Sequence, residues 1–250
     1  MNKTSKLAGA FWIGIEESLS PHTIHTVNFN HYFNLEQKGQ LSICVSAHTR
    51  YKLWINGEKV TVGPCKSSGR ASFYEEVNVS HLLIKGDNSI MAQVVCFPHP
   101  VFEESFSCSP FSIQSHTIGP WFILKGVITD DSDEALYDLS TGVADWSVVI
   151  DSSITWQTHN FLRFTCAGPY EIVDGTLLPI YRNKLGMEGV SKPALIKWPA
   201  DLNCYGEMPV IPLEQRKIPL MYEIKKYFIK VLYKRNAYQT GGRSIHLVFR

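Results

Sequence analysis

The sequence has little net charge and no long hydrophobic run. Its 24 basic and 23 acidic residues leave a formal net charge of +1, so the strong field that attracts nucleic acid or anionic membranes is missing. No apolar stretch approaches the roughly 20 residues of a membrane-spanning helix. Glu16 and Glu17 interrupt the apolar start, which falls short of the roughly 7–15 residues of a secretory signal. We therefore expect no nucleic-acid partner, no membrane partner and a cytoplasmic location.

Short motifs of metal centres and nucleophilic active sites are also missing from the sequence. The six cysteines are widely spaced without a Cys-x-x-Cys pair, so we expect buried thiols and no metal site. The sequence contains neither a His-Glu-x-x-His segment nor a Gly-x-Ser-x-Gly turn. The glycine-rich segment 63–70 departs from the phosphate-loop pattern, and we expect no cofactor.

Paired carboxyl groups for sugar hydrolysis are not evident either. Glycosidases hold two carboxyl groups roughly 5–10 Å apart across the scissile bond. The candidate pairs are Glu75/Glu76, Glu103/Glu104 and Asp130/Asp131. Neighbouring residues of a strand point to opposite faces, so Glu75 and Glu76 cannot converge on one bond. The acidic segment 130–134 is typical of a solvated turn, and we expect no catalytic residue.

Period-2 alternation, by contrast, is abundant in the first half of the chain. In segment 41–47 every second residue is apolar, and in segment 51–55 Tyr51, Leu53 and Ile55 share one face. Asn56-Gly57 then supplies the positive φ angles of a two-residue hairpin turn. Further strand patterns recur every 8–12 residues with turn residues between them. This spacing predicts an all-β fold, an antiparallel β-sandwich.

The regular strand spacing stops between residues 140 and 165, and prolines then recur every few residues. We predict a β-sandwich over residues 1–145 and a second, partial β region over residues 146–250. This second region is smaller and turn-rich, and it ends in an unassigned basic tail. Segment 222–233 fits an amphipathic helix or a strand equally well.

Seven segments of the chain form an ordered pattern. They are FWI (11–13), HYFNL (31–35), LSICVSAHTRYKLWINGEKVTVGP (41–64), YEEVNVSHLLIKGDNSIMAQVV (74–95), GPWFILKGVI (119–128), DWSVVIDSSITW (145–156) and RKIPLMYE (216–223). In order and spacing these segments resemble the N-terminal region of bacterial α-L-rhamnosidases. The resemblance covers roughly residues 8–223 and is patchy over residues 97–118.

This resemblance implies a galactose-binding-like jelly roll over residues 1–145. In these enzymes a later α/α barrel supplies the acid and base that release rhamnose, and the present chain stops before any such barrel. We therefore expect a non-catalytic portion of a rhamnosidase-like hydrolase, partnered by a catalytic α/α-barrel domain or chain. The alternative is a purely structural module that packs against a missing barrel, in a truncated or split enzyme.

Carbohydrate binding is the activity that we expect of this portion. Sugars lay their apolar C–H faces on aromatic rings, and most of the six tryptophans are expected in the core. Trp54 is the exception, because it shares a face with Lys52 opposite the apolar stripe of its strand. Arg70, Tyr74 and Glu75 follow the hairpin and are predicted to line the same rim. The predicted ligand is a rhamnose-containing carbohydrate, and packing of Trp54 under a loop stays the alternative.

Overall fold

A computed structural model gives the fold of this chain. It describes residues 6–16, 19, 23–65, 72–97, 119–157, 170–177, 191–201, 204–205, 208–209 and 212–220. Arg70, the Glu103/Glu104 pair and segment 222–233 lie outside these ranges. The chain divides into two compact units, Met1–Ile218 and Pro219–Arg250, and the strands all belong to the first. Within the described ranges, no helix has the length and hydropathy needed to cross a bilayer.

Eighteen strands and one short 3₁₀ helix, Ser80–Leu82, are formed by the described residues. The strands are β1 (Phe11–Gly14), β2 (His25–Leu35), β3 (Ser42–His48), β4 (Arg50–Ile55), β5 (Glu58–Gly63), β6 (Ser72–Asn78), β7 (Gly86–Cys96), β8 (Trp121–Lys125), β9 (Val127–Thr129), β10 (Ala135–Asp138), β11 (Ser147–Ile150), β12 (Ile154–Gln157), β13 (Tyr170–Val173), β14 (Lys192–Pro193), β15 (Leu195–Pro199), β16 (Cys204–Tyr205), β17 (Met208–Pro209) and β18 (Leu213–Gln215).

Two six-stranded sheets form the body of the molecule. Sheet 1 has the order β15-β1-β8-β3-β6-β18, and sheet 2 has the order β14-β11-β2-β7-β4-β5. Neighbouring strands are antiparallel except β6 and β18, which run parallel. Phe29 of sheet 2 stacks on Phe122 of sheet 1 with ring centroids 5.6 Å apart, so the sheets meet face to face. The predicted antiparallel β-sandwich is confirmed.

The core between the sheets follows the predicted alternation. Tyr51, Leu53 and Ile55 are buried in it, together with Ile43 and Val45 of the facing sheet. Burial of each such side chain contributes roughly 1.5–3 kcal/mol to stability. This shared apolar layer fixes which face of each strand points outward.

The hairpin between β4 and β5 forms with the predicted turn. Asn56 and Gly57 have φ angles of 51° and 79°, the left-handed values that a two-residue turn of this type needs. The pairing then shifts by one residue, since Leu53 pairs with Thr61 but Trp54 pairs with Lys59. The extra residue is a β-bulge, and next to it Thr61 is buried while Val60 packs partly buried against the core.

Strands beyond residue 146 extend both sheets. β11 and β14 join sheet 2, whereas β15 and β18 join sheet 1. β14 and β15 are separated only by Ala194, whose backbone N–H donates to the Trp146 carbonyl, so this segment closes one side of the sandwich. The predicted division at residue 145 stays a prediction.

Candidate functional site

Trp54 and Lys52 lie on the outer face of sheet 2, as the alternation predicts. Both side chains are half-buried. Trp54 is paired with Met91 of β7 and with Lys59 of β5, and Lys52 is paired with Gln93 of β7. An indole with cationic neighbours on a rigid sheet has the chemistry to hold an apolar sugar face and its hydroxyl groups. Carbohydrate contact there stays a prediction.

A buried polar network adjoins these residues on the same face. The Asp151 carboxylate accepts hydrogen bonds from Asn28 Nδ2 at 2.9 Å, from Gln93 Nε2 at 3.1 Å and from the Ser153 backbone and hydroxyl. Asn28 is fully buried, and its Oδ1 has no hydrogen-bond partner among the described residues. Gln93 is also the pairing partner of Lys52, so the network lies beside the predicted sugar-contacting residues.

Glu75 lies between the two sheets and is fully buried. Its carboxylate accepts hydrogen bonds from the Tyr51 hydroxyl at 2.7 Å, from the Cys65 backbone N–H at 2.8 Å and from Arg216 Nη1 at 3.4 Å. Burial raises the pKa of Glu75, because desolvation outweighs these donors and the positive charge. The contacts join β4, β6 and the end of β18, so this carboxylate links the layers of the sandwich.

Tyr74 lies on the outer face of sheet 1, on the opposite side of the sandwich from Trp54. Its side chain is buried in an apolar cluster with Trp12, Cys44 and Ile123, and burial raises the pKa of its hydroxyl. The structure therefore brings Trp54 and Lys52 together, but places Glu75 in the interior and Tyr74 on another surface. Arg70 lies outside the described residues.

An aromatic pair, Trp121 and Trp198, lies at one end of the outer face of sheet 1. We call this pair the aromatic corner. The rings meet edge to face, with centroids 4.3 Å apart and an interplanar angle of 88°. Both side chains are half-buried, and the His48 ring lies 5.8 Å from Trp121. Alternation with buried Phe122 indicates that Trp121 points outward, but no sequence signal places Trp198 beside it.

A groove opens where β1, β11, β14 and β15 meet. Its volume is about 450 Å³, within the range of roughly 300–1,000 Å³ typical of ligand sites. Val143 and Ile196 line it and are 54% and 52% exposed. Asp145, Ser147 and Lys192 add polar groups. The groove combines exposed apolar walls with charge, a composition that suits a protein surface as well as a small molecule.

Solved structures with a similar fold include α-L-rhamnosidases. The family GH78 rhamnosidase of Bacillus sp. GL1 has a TM-score of 0.61 and 22% identity, covering 86% of this chain and 20% of its own. The α-L-rhamnosidase of Aspergillus terreus has a TM-score of 0.57 and 16% identity, covering 77% of this chain and 22% of its own. The chain has the fold of one part of an α-L-rhamnosidase.

The sequence resemblance to α-L-rhamnosidases is thus confirmed at the level of the fold. This chain spans about a fifth of the length of those two enzymes. Neither a scan against models of protein families nor a search of curated proteins gives a match. The similarity to these rhamnosidases is therefore a similarity of fold.

Proposed function

We propose that this chain is a non-catalytic β-sandwich portion of an α-L-rhamnosidase-like glycoside hydrolase. The observation that carries the proposal is the shared fold, which extends over 86% of this chain but 20% of the Bacillus enzyme. The buried role of Glu75 also supports it, since its carboxylate is occupied by Tyr51, Cys65 and Arg216. In this proposal an α/α barrel carries out hydrolysis.

An assay of the chain alone tests the non-catalytic role. The substrate is 4-nitrophenyl α-L-rhamnopyranoside, and the coloured product is followed at several protein concentrations. We expect no release above a sample treated identically without protein. Release that is proportional to protein concentration and is retained through repurification would overturn the proposal.

Within this role we propose that Trp54 and Lys52 contact a rhamnose-containing carbohydrate. Support comes from the half-buried indole, the neighbouring Lys59 and the hydrogen bond that Gln93 donates to Asp151. Such a shallow face fits weak binding, near the ~1 mM range that corresponds to about 4 kcal/mol. The face offers one indole surface with cations beside it.

Tryptophan fluorescence during titration with L-rhamnose and rhamnosyl oligosaccharides tests this contact. We expect a saturable change that is lost in Trp54→Ala and weakened in Lys52→Ala. Lys85→Ala, which changes an exposed lysine of another turn, is the matched control and should bind as the wild type does. A saturable change that survives in Trp54→Ala would place the sugar elsewhere, and a flat titration up to tens of millimolar would remove this contact.

The second candidate role is packing against a catalytic α/α barrel, as a purely structural module. Its support is the set of exposed large apolar side chains described between residues 140 and 218: Val143, Ile150, Ile172, Val173, Leu177, Leu195, Ile196 and Ile218. Exposed apolar groups in such number favour a protein partner, because burying them removes apolar surface from water. Val143 and Ile196 both line the groove, so in this role the groove is the surface that contacts the barrel.

Binding to a separately produced α/α-barrel domain of an α-L-rhamnosidase tests the packing role. Calorimetry should detect a complex with the wild-type chain and a much weaker one with Ile196→Asp. Leu136→Asp, at an exposed apolar position of β10, is the control and should leave the affinity unchanged. Equal loss in both variants, or no complex at all, would contradict packing through the groove.

A further inference from the structure

We infer that the edge of β6 is a peptide-docking site, at which an arginine-bearing strand of another polypeptide can take the place of β18. The mode of binding is β-augmentation, in which an extended segment adds a strand to the edge of a sheet. Glu75 supplies the pocket for the arginine side chain. The inference concerns a protein partner and does not depend on carbohydrate binding.

The backbone contacts between β18 and β6 are ones that any extended segment can make. The two strands run parallel. The Ser72 N–H donates to the Pro212 carbonyl at 2.9 Å, and the Arg216 N–H donates to the Tyr74 carbonyl at 3.0 Å. Main-chain hydrogen bonds of this kind supply affinity without regard to sequence. A strand of another chain can therefore form the same pairing.

The side chains of this segment reach both faces of sheet 1. Arg216 extends into the interior, where its side chain is 10% exposed and its Nη1 lies 3.4 Å from Glu75 Oε1. On the outer face, Gln215 Nε2 donates to Glu76 Oε2 at 2.6 Å. Leu213 shares that face and packs against the outer apolar cluster. These contacts favour a strand with the pattern Leu-x-Gln-Arg.

The arginine pocket is formed by residues outside β18. Glu75 is fully buried, and its carboxylate accepts hydrogen bonds from the Tyr51 hydroxyl at 2.7 Å and the Cys65 N–H at 2.8 Å. A Cβ atom built at Gly63 would lie 2.8 Å from Tyr51 Cε1, so this glycine leaves the space that the pair needs. Both donors remain when β18 leaves, and an acceptor that is held in place lowers the entropic cost of binding.

The attachment of β18 is small enough for exchange. The strand has three residues and lies at the end of the sheet order. Glu214 and Gln215 are exposed, as are Lys217 and Ile218 after the strand. A short edge strand with few buried contacts opens at a lower free energy than the core does. Opening leaves the backbone groups of β6 available to an added strand.

Amide hydrogen exchange of the full chain, followed by NMR, tests the local opening. We expect the Ser72 and Arg216 amides to exchange at least roughly tenfold faster than the Ala92 amide of the central strand β7, because local opening needs less free energy than global unfolding. Arg216→Ala should accelerate the Ser72 amide by a further factor of roughly ten, the lower end for loss of a hydrogen bond to a charged group. Lys217→Ala, at the exposed neighbouring position, is the matched control and should exchange as the wild type does.

A fluorescein-labelled peptide of residues 212–218 tests docking of a second strand by fluorescence polarisation. In the wild-type chain the tethered β18 competes at an effective concentration of roughly millimolar order. Arg216→Ala weakens this competitor, so this variant should bind the peptide roughly tenfold more tightly than the wild type does. The peptide that itself carries Arg216→Ala should lose this gain. The Lys217→Ala chain should bind the peptide as the wild type does.

A second substitution locates the arginine pocket. Glu75→Gln, added to Arg216→Ala, should weaken peptide binding roughly tenfold, whereas Glu58→Gln in the same background should leave it unchanged. Equal affinity in these two double variants would overturn the Glu75 pocket. Far-UV circular dichroism checks folding, and Arg216→Lys, which keeps the charge without the planar guanidinium, replaces Arg216→Ala if the alanine variant does not fold.

Two further results would overturn the docking site as a whole. One is exchange of the Ser72 and Arg216 amides at the rate of the Ala92 amide, which would show that β18 leaves only when the whole sandwich unfolds. The other is the absence of peptide binding to the folded Arg216 variant at millimolar peptide. Neither result bears on the hydrolysis assay or on the sugar titration, so the proposed function would stand apart from this outcome.

Discussion

The outer faces of the two sheets carry different chemistry, although both sheets close the same core. On sheet 2, Asn28, Gln93 and Asp151 form a buried polar network. On sheet 1, the equivalent positions hold a buried apolar cluster that includes Trp12 and Ile123. The side chains of the outer face of sheet 2 are therefore mainly hydrogen-bonded, and those of sheet 1 are mainly packed against apolar neighbours.

The two faces are stabilised in different ways, by directional hydrogen bonds on sheet 2 and by non-directional apolar packing on sheet 1. A hydrogen-bonded network on sheet 2 depends on every donor keeping its acceptor, since an unpaired buried group is costly. The cluster on sheet 1 depends on buried area and close packing. Trp54 lies beside the polar network of sheet 2, and Trp121 lies beside the apolar cluster of sheet 1. The two indoles therefore have different surroundings.

Removal of the central aromatic from the sheet 1 cluster should give the largest loss. Trp12 is buried at 8% exposure, so Trp12→Ala creates a cavity, and we expect a loss of about 3–5 kcal/mol in the free energy of unfolding. Urea denaturation followed by circular dichroism measures it. Trp54→Ala is the control on the other face; because Trp54 is half-buried, a loss as large as that of Trp12→Ala would contradict the contrast.

Breaking the polar network on sheet 2 comes next. Asp151→Ala leaves the donors of Asn28, Gln93 and Ser153 without their acceptor. We expect a loss of about 2–4 kcal/mol, because each buried unpaired group costs about 1–3 kcal/mol and the site relaxes in part. Asp131→Ala, at an exposed turn, should change stability by less than about 0.5 kcal/mol. Similar effects of both variants in urea denaturation would show that the network contributes little.

Glu75 is buried between the two sheets. Its substitution should change stability by less than the two variants above, and the change should depend on pH. Its folded pKa lies above the ordinary value of 4.5 because of burial, so the folded state binds more protons than the unfolded state above that value. Stability should therefore fall as the pH rises from about 4.5 through the raised folded pKa. Unfolding midpoints across this range should show a shallower decline in Glu75→Gln. Glu58→Gln, on the exposed start of β5, should keep the wild-type slope.

The smallest loss of stability is expected for Gly14→Ala, which tests the packing of Trp121. Gly14→Ala places a Cβ 2.9 Å from Lys197 Cε and 3.0 Å from Trp121 Cδ1. Both neighbours are side-chain atoms that can shift, so we expect a loss of about 1 kcal/mol, the low end for overpacking. Thermal unfolding and the near-ultraviolet circular dichroism of the indoles measure the effect. A stabilised variant with an unaltered indole spectrum would show that the ring does not depend on this glycine.

Much of the sandwich could be predicted from local patterns. The hairpin at Asn56-Gly57 and the burial of Tyr51, Leu53 and Ile55 follow from positive φ angles and period-2 alternation. The outward direction of Trp54 and Lys52 follows from the same alternation. These features depend on neighbouring residues alone, so a sequence displays them.

The rest of the candidate sites could not be predicted in this way. Tyr74 and Glu75 are adjacent, yet one packs on the outer face of sheet 1 and the other joins Tyr51 between the sheets. Sequence proximity to the hairpin suggested that both line one rim with Trp54. Strand pairing instead decides which surface each residue reaches, and pairing partners lie far apart in the chain.

Local alternation and the ordered segments are enough to predict the all-β class, the inward faces of the first strands and the resemblance to rhamnosidases. The contacts of Trp198 with Trp121 and of Arg216 with Glu75 are seen only in the folded chain. The first contact depends on β15 pairing with β1, and the second on β18 pairing with β6. Packing of the whole sandwich selects these partner strands, whereas local alternation fixes only which face of each strand is buried.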